Sequence, residues 1–185
     1  VPIIPASGSS AFRGSLVPIA YSAPSGVTNV VFTNIPQTYQ DLRIVVNIQT
    51  AGNTTLGIQF NQDGSGVYGY TQFSGRGGTL NTNTAGPVEN LGNCSGQYYY
   101  ASQPPGLTPI EIDILNYTNT STLKFGLVRG GTTPSGLYSF ENWLTYFVKS
   151  NNTNAVTSVT FLARDGQNFL SGSEISIYGV RSINQ

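Results

Sequence analysis

The chain has 185 residues, no histidine, one cysteine, and eight acidic against eight basic side chains, for a formal net charge of zero. Histidine is the usual general base near neutral pH, and histidine and cysteine are the usual transition-metal ligands. Their scarcity argues against an enzyme and a metalloprotein, so no cofactor is expected, and the scattered Arg and Lys offer no track for nucleic acid.

The length suits one domain, and folding at this size buries roughly 70% of the extended-chain surface. Charged residues make up 9%, against about 25% in an ordinary soluble domain. Eleven Tyr and nine Phe nevertheless argue for a packed core. A neutral chain lacks self-repulsion and tends to associate, which favours an oligomer. Cys94 has no intrachain disulfide partner. No run approaches the ~20 apolar residues of a membrane span, so no membrane partner is expected. Val1-Pro2-Ile3-Ile4-Pro5 lacks the basic and long apolar regions of a signal peptide.

Residues 1–13 read as an extended arm. Pro2 and Pro5 exclude helix, and Val1, Ile3, Ile4 and Phe12 are apolar. The plain reading is a loose terminus; the sharper one is an arm that docks on a neighbouring subunit. Residues 14–185 read as one β domain. Strands are expected at 16–22, 27–33, 42–48, 56–61, 67–73, 97–100, 110–114, 123–129, 137–148, 156–162 and 175–179. Leu42, Ile44, Val46 and Ile48 alternate with polar or smaller residues, as do Ile110, Ile112 and Ile114. Phe140–Lys149 is the best helical candidate, but its aromatic and β-branched content favours a strand. Arg76–Asn93 carries no strand signal and reads as a long surface loop. Turns fall at Pro24-Ser25-Gly26, Asn61-Gln62-Asp63-Gly64, Asp165-Gly166 and Ser171-Gly172. Many short strands between Gly- and Pro-rich turns predict a single two-sheet antiparallel β-sandwich, jelly-roll-like in topology.

Several motifs invite a chemical reading. Gly64-Ser65-Gly66-Val67-Tyr68-Gly69 spells a dinucleotide fingerprint, but strand residues follow it where a helix is required. Gly92-Asn93-Cys94-Ser95-Gly96 has the spacing of a nucleophile elbow, yet no histidine exists to complete it. Glu111 and Asp113 share one strand face at a spacing a glycosidase pair could use; a solvated face beside Arg or Lys explains them as well. Asn61–Ser65 is rich in oxygen ligands but holds one carboxylate where a calcium loop supplies several. Tyr68, Tyr70, Tyr98, Tyr99, Tyr100 and Trp143 are candidates for a glycan platform, with core or interface packing as the competing reading.

Other segments carry a resemblance. Val30-Val31-Phe32-Thr33-Asn34-Ile35-Pro36-Gln37-Thr38-Tyr39, Phe60-Asn61-Gln62-Asp63-Gly64, Ile112-Asp113-Ile114-Leu115-Asn116-Tyr117 and Ile177-Tyr178-Gly179-Val180 resemble the strands and turns of a family of small β-sandwich virion proteins from tailed bacteriophages. The likeness runs from about Leu16 to Val180 and marks structural positions rather than a catalytic site. It implies a surface protein of the virion, often trimeric: a capsid decoration protein, a head fibre or a tail-fibre module. The expected partners are further copies of the chain and the major capsid protein or other virion proteins. Val1, Pro2, Ile3, Ile4, Pro5 and Phe12 are the expected assembly contacts. The alternative is a receptor-binding module that holds a host glycan through its tyrosines.

Overall fold

Alternation of apolar and polar residues becomes strand wherever one face can be buried. The computed structural model describes residues 16–52, 54–76, 78–88, 107–132 and 141–181. The expected arm, the strand at 97–100 and Cys94 lie outside them. Eleven strands follow in chain order: β1 (Leu16–Ser22), β2 (Asn29–Phe32), β3 (Asp41–Ile48), β4 (Leu56–Phe60), β5 (Tyr68–Arg76), β6 (Thr79–Val88), β7 (Thr108–Leu115), β8 (Lys124–Thr132), β9 (Glu141–Lys149), β10 (Val159–Ala163) and β11 (Glu174–Val180). The described residues contain no helix.

Two antiparallel sheets form a β-sandwich. The larger has eight strands in the order β1-β11-β3-β7-β8-β9-β5-β6, and the smaller has three in the order β2-β10-β4. The chain crosses between the sheets at each step from β1 to β5 and again on either side of β10. That interleaving is jelly-roll-like, but the sheets are very unequal in size.

The core lies between the sheets. Leu42, Ile44, Val46 and Ile48 of β3 are fully buried, as is Ile112 of β7, and so are Ile175 and Ile177 of β11. Ile58, Phe60, Val159 and Phe161 meet them from the smaller sheet. The rings of Phe60 and Phe147 lie 5.7 Å apart and join β4 to β9. Phe60 also packs edge-on against Tyr68, whose hydroxyl accepts a hydrogen bond from the Phe60 amide at 2.8 Å.

The segment expected to be a long loop is corrected by β6, an edge strand. Its residues Thr79-Leu80-Asn81-Thr82-Asn83-Thr84 lack apolar alternation because neither of its faces is deeply buried. Register with β5 supplies its order instead, from Arg76↔Thr79 to Tyr70↔Ala85. At the other end of the chain, Asp165 and Gly166 take φ of 57° and 70°, and Gln167 donates to the Arg164 carbonyl at 3.1 Å. This is the tight turn that an Asp-Gly pair favours.

Candidate functional site

The glycan platform is corrected at three of its six residues. Tyr68 is fully buried, Tyr70 is 9% exposed and Trp143 is 4% exposed. Period two along β5 and β9 turns all three to the inner face, beside Gln72, Ser74, Thr145 and Phe147. A ring so placed offers no surface on which a sugar can stack. Tyr98, Tyr99 and Tyr100 lie outside the described residues, as do Val1, Pro2, Ile3, Ile4, Pro5 and Phe12.

The two carboxylates share the outer face of β7, and each meets an arginine. Arg43 Nε and Nη2 donate to Asp113 at 2.7 and 3.3 Å, and Arg129 Nε donates to Glu111 at 2.8 Å. Arg129 also approaches Asp113 at 3.7 Å, so the four side chains form one alternating network. The hydrogen bond that Arg43 donates to Asp113 raises the Arg43 pKa. Two carboxylates neutralised in this way are poorly placed for acid–base work on a sugar.

The oxygen-rich loop is also occupied by protein groups. Asn61 Oδ1 accepts from the amides of Thr157 and Ser158 at 2.8 and 3.2 Å. Asp63 binds Lys149 Nζ at 2.8 Å and accepts from Ser65 N and Asn151 Nδ2. Lys149 first, then Ser65 and Asn151, holds the Asp63 carboxyl well below the ordinary carboxylate range. No cluster of three or more metal-ligating side chains occurs among the described residues. The glycine-rich segment before β5 leads into strand, as its sequence requires.

What the described residues leave exposed is the outer face of the larger sheet. Cross-strand register arranges its side chains in rows. Leu115 pairs with Phe125, and Phe125 with Val148. In the next row Asp113, Leu127, Tyr146 and Thr71 follow one another across β7, β8, β9 and β5. In the third row come Glu111, Arg129, Leu144 and Phe73. Leu80 stands beyond them on β6. Leu115 is 49% exposed, Phe125 51%, Tyr146 53%, Phe73 42% and Leu80 77%. Half of the exposed large hydrophobic side chains among the described residues therefore sit on one continuous surface. Single exposed apolar residues are ordinary, whereas a contiguous set marks an interaction site.

The signal for this face lies at Trp143-Leu144-Thr145-Tyr146-Phe147-Val148. Both alternating sets are largely apolar, and a strand apolar on both sides needs a cover on both sides. Beside the face is a shallow depression of about 430 Å³, to which Val45, Asn47, Pro109, Glu111 and Arg129 contribute. Trp143 also lines it, and the buried indole N–H finds no hydrogen-bond partner among the described residues.

A comparison of the chain with protein-family models, with curated proteins and with solved structures found no match. The described residues form an all-β sandwich, and their most distinctive surface is this extended apolar face.

Proposed function

We propose that this chain is a non-enzymatic structural protein of a tailed-phage virion, and within that class a capsid decoration, or cement, protein bound to the outer surface of the shell. One observation carries the reading: a broad outer sheet face, apolar across β9 and β5 and with its β7–β8 charges paired, that the chain's own described residues leave open. The resemblance of Val30–Tyr39, Phe60–Gly64, Ile112–Tyr117 and Ile177–Val180 to virion sandwich proteins supports it. Each of those segments forms a strand or a turn next to one in this fold.

The physical role follows from linkage. A protein that binds the assembled shell and not its separated subunits adds its binding free energy to the stability of the shell. Such work needs a wide, complementary surface more than a chemical centre. The competing reading, a tail-fibre module that recognises a host glycan, loses the stacking surfaces of Tyr68, Tyr70 and Trp143 to the core.

Electron cryomicroscopy of the particle tests the assignment. Many copies at the junctions between capsomers are expected. A few copies at the tail tip would overturn the cement reading and favour receptor binding.

A further inference from the structure

We infer that the outer face of β7, β8, β9, β5 and β6 is where a second copy of this chain packs, with Tyr146 at the centre of the contact. The inference rests on the assembly reading above only in that both need this face to be covered.

Area is the first argument. Five strands at about 4.8 Å span about 24 Å, and eight residues along them span about 27 Å. The plane is about 600 Å², and the relief of its side chains brings it near the ~800 Å² that each partner contributes to a specific interface. One copy therefore supplies a patch of the size that a stable pair requires.

Charge is the second. Across β9 and β5 the described outward residues are Asn142, Leu144, Tyr146, Val148, Thr71 and Phe73, none of them ionised. The charges on β7 and β8 lie to one side and are already paired as Arg43–Asp113 and Arg129–Glu111. Like charges meeting across an interface are costly, and this surface can meet its own copy without that cost. A partner with a charged surface would gain nothing from it.

The pattern within the face is the third. Tyr146 lies on the middle strand of the five, and Phe125 and Phe73 flank it on opposite diagonals through the pairs Phe125↔Val148 and Phe73↔Leu144. Central aromatic anchors carry most of the binding energy in protein interfaces. The sheet edges are less suited to pairing. β1 breaks register between Pro18 and Ala20, and the β5–β6 ladder breaks between Tyr68 and Tyr70. Bulges of this kind blunt an edge against addition of another strand. Packing of faces remains the open route.

Light scattering on the purified chain at about 100 µM, far above the micromolar end of interfaces of this size, tests the inference. The wild-type chain should run as a multimer. Tyr146→Lys and Phe125→Lys, both at half-exposed positions that tolerate substitution, should reduce it to one copy with unchanged circular dichroism. Val31→Lys, on an exposed position of the smaller sheet, should leave the multimer intact. A wild-type chain that runs as one copy, or a multimer that survives both substitutions, overturns the inference. The two readings fail separately. A single copy that still coats the shell would sink self-association and keep the decoration role. A multimer broken by Tyr146→Lys, from a protein missing from the particle, would do the reverse.

Discussion

Lys124 and Lys149 are direct cross-strand partners on β8 and β9, and both are buried. Their ammonium groups are satisfied in different ways. Lys149 meets Asp63 at 2.8 Å and Asn151 at 2.5 Å. Lys124 donates to three backbone carbonyls, those of Asn119, Thr122 and Thr153. The pair thus ties the β4–β5 turn, the segment after Tyr117 and the segment after β9 to one end of the larger sheet. Two buried cations served, among the described residues, by one carboxylate make this end sensitive to charge.

Asp63→Asn is expected to destabilise the fold by about 2 kcal/mol at pH 7, because it leaves the buried Lys149 without its counter-charge. The pH dependence follows from the depressed Asp63 pKa. A carboxylate whose folded pKa lies below its unfolded value of about 4 contributes fully above that pH and loses its contribution as pH falls further. Urea midpoints measured from pH 7 downwards should show a steeper acid decline in the wild type than in Asp63→Asn. Parallel curves would show that Asp63 contributes little.

Lys124 gives a slope of the same sign, but in the alkaline range. Burial, and then the nearby Lys149 charge, lower its pKa from the ordinary value of 10.5. In the alkaline range below that value the unfolded chain binds more protons than the folded one, so this group makes stability rise with pH. Lys124→Met keeps the length of the side chain but removes the donor from three carbonyls. A loss of about 3 kcal/mol at pH 7 is expected, along with the alkaline rise. A neutral or stabilising Lys124→Met would mean that the cost of burying the charge equals the worth of the three hydrogen bonds.

Strands whose one face packs in the core were legible in the sequence. Leu42–Ile48 and Ile110–Ile114 alternate cleanly because one side of each meets the smaller sheet. β6 was not legible, because an edge strand carrying Asn and Thr on both sides leaves no periodic trace. The tyrosines of β5 misled for a related reason: composition shows that a ring is present but not which face of the strand it takes. Tyr68 and Tyr70 share a parity that points inward. The outer face was half-visible. Its apolar residues come from five strands, and only the register shows that they are neighbours.

Glycines on β8 make room for rings on β9. Gly130 is the cross-strand partner of Trp143, and a Cβ at Gly130 would stand 2.7 Å from the indole Cζ2 and 2.7 Å from the Pro109 carbonyl oxygen. Gly126 stands in the same relation to Phe147. Gly130→Ala is expected to cost about 3 kcal/mol through overpacking. Trp143 is the only tryptophan, so its emission reports on this contact directly. The folded variant should emit at longer wavelength than the wild type. An unchanged spectrum and midpoint would show that the ring can move aside without loss.

Asn61 joins the turn after β4 to the irregular segment that precedes β10. Its amide donates to the Ala155 carbonyl at 2.9 Å while its oxygen accepts from Thr157 N at 2.8 Å, and its own φ is 55°. Asparagine tolerates this left-handed conformation better than other residues with a Cβ. Asn61→Ala loses these hydrogen bonds and the one from Ser158 N, and strains the backbone, for an expected cost of about 3 kcal/mol. Asn61→Asp keeps the acceptor and the backbone tolerance but faces the Ala155 carbonyl with a negative oxygen, so it should fall between Ala and wild type. Equal losses for the two variants would assign the whole effect to the Ala155 bond. The same geometry predicts no calcium dependence. Asn61 Oδ1 and both Asp63 oxygens already have protein partners, and one carboxylate is too few to displace them for a hard cation. Millimolar calcium should leave the unfolding midpoint where it stands, and a rise would mean that the ion outcompetes Lys149 for Asp63.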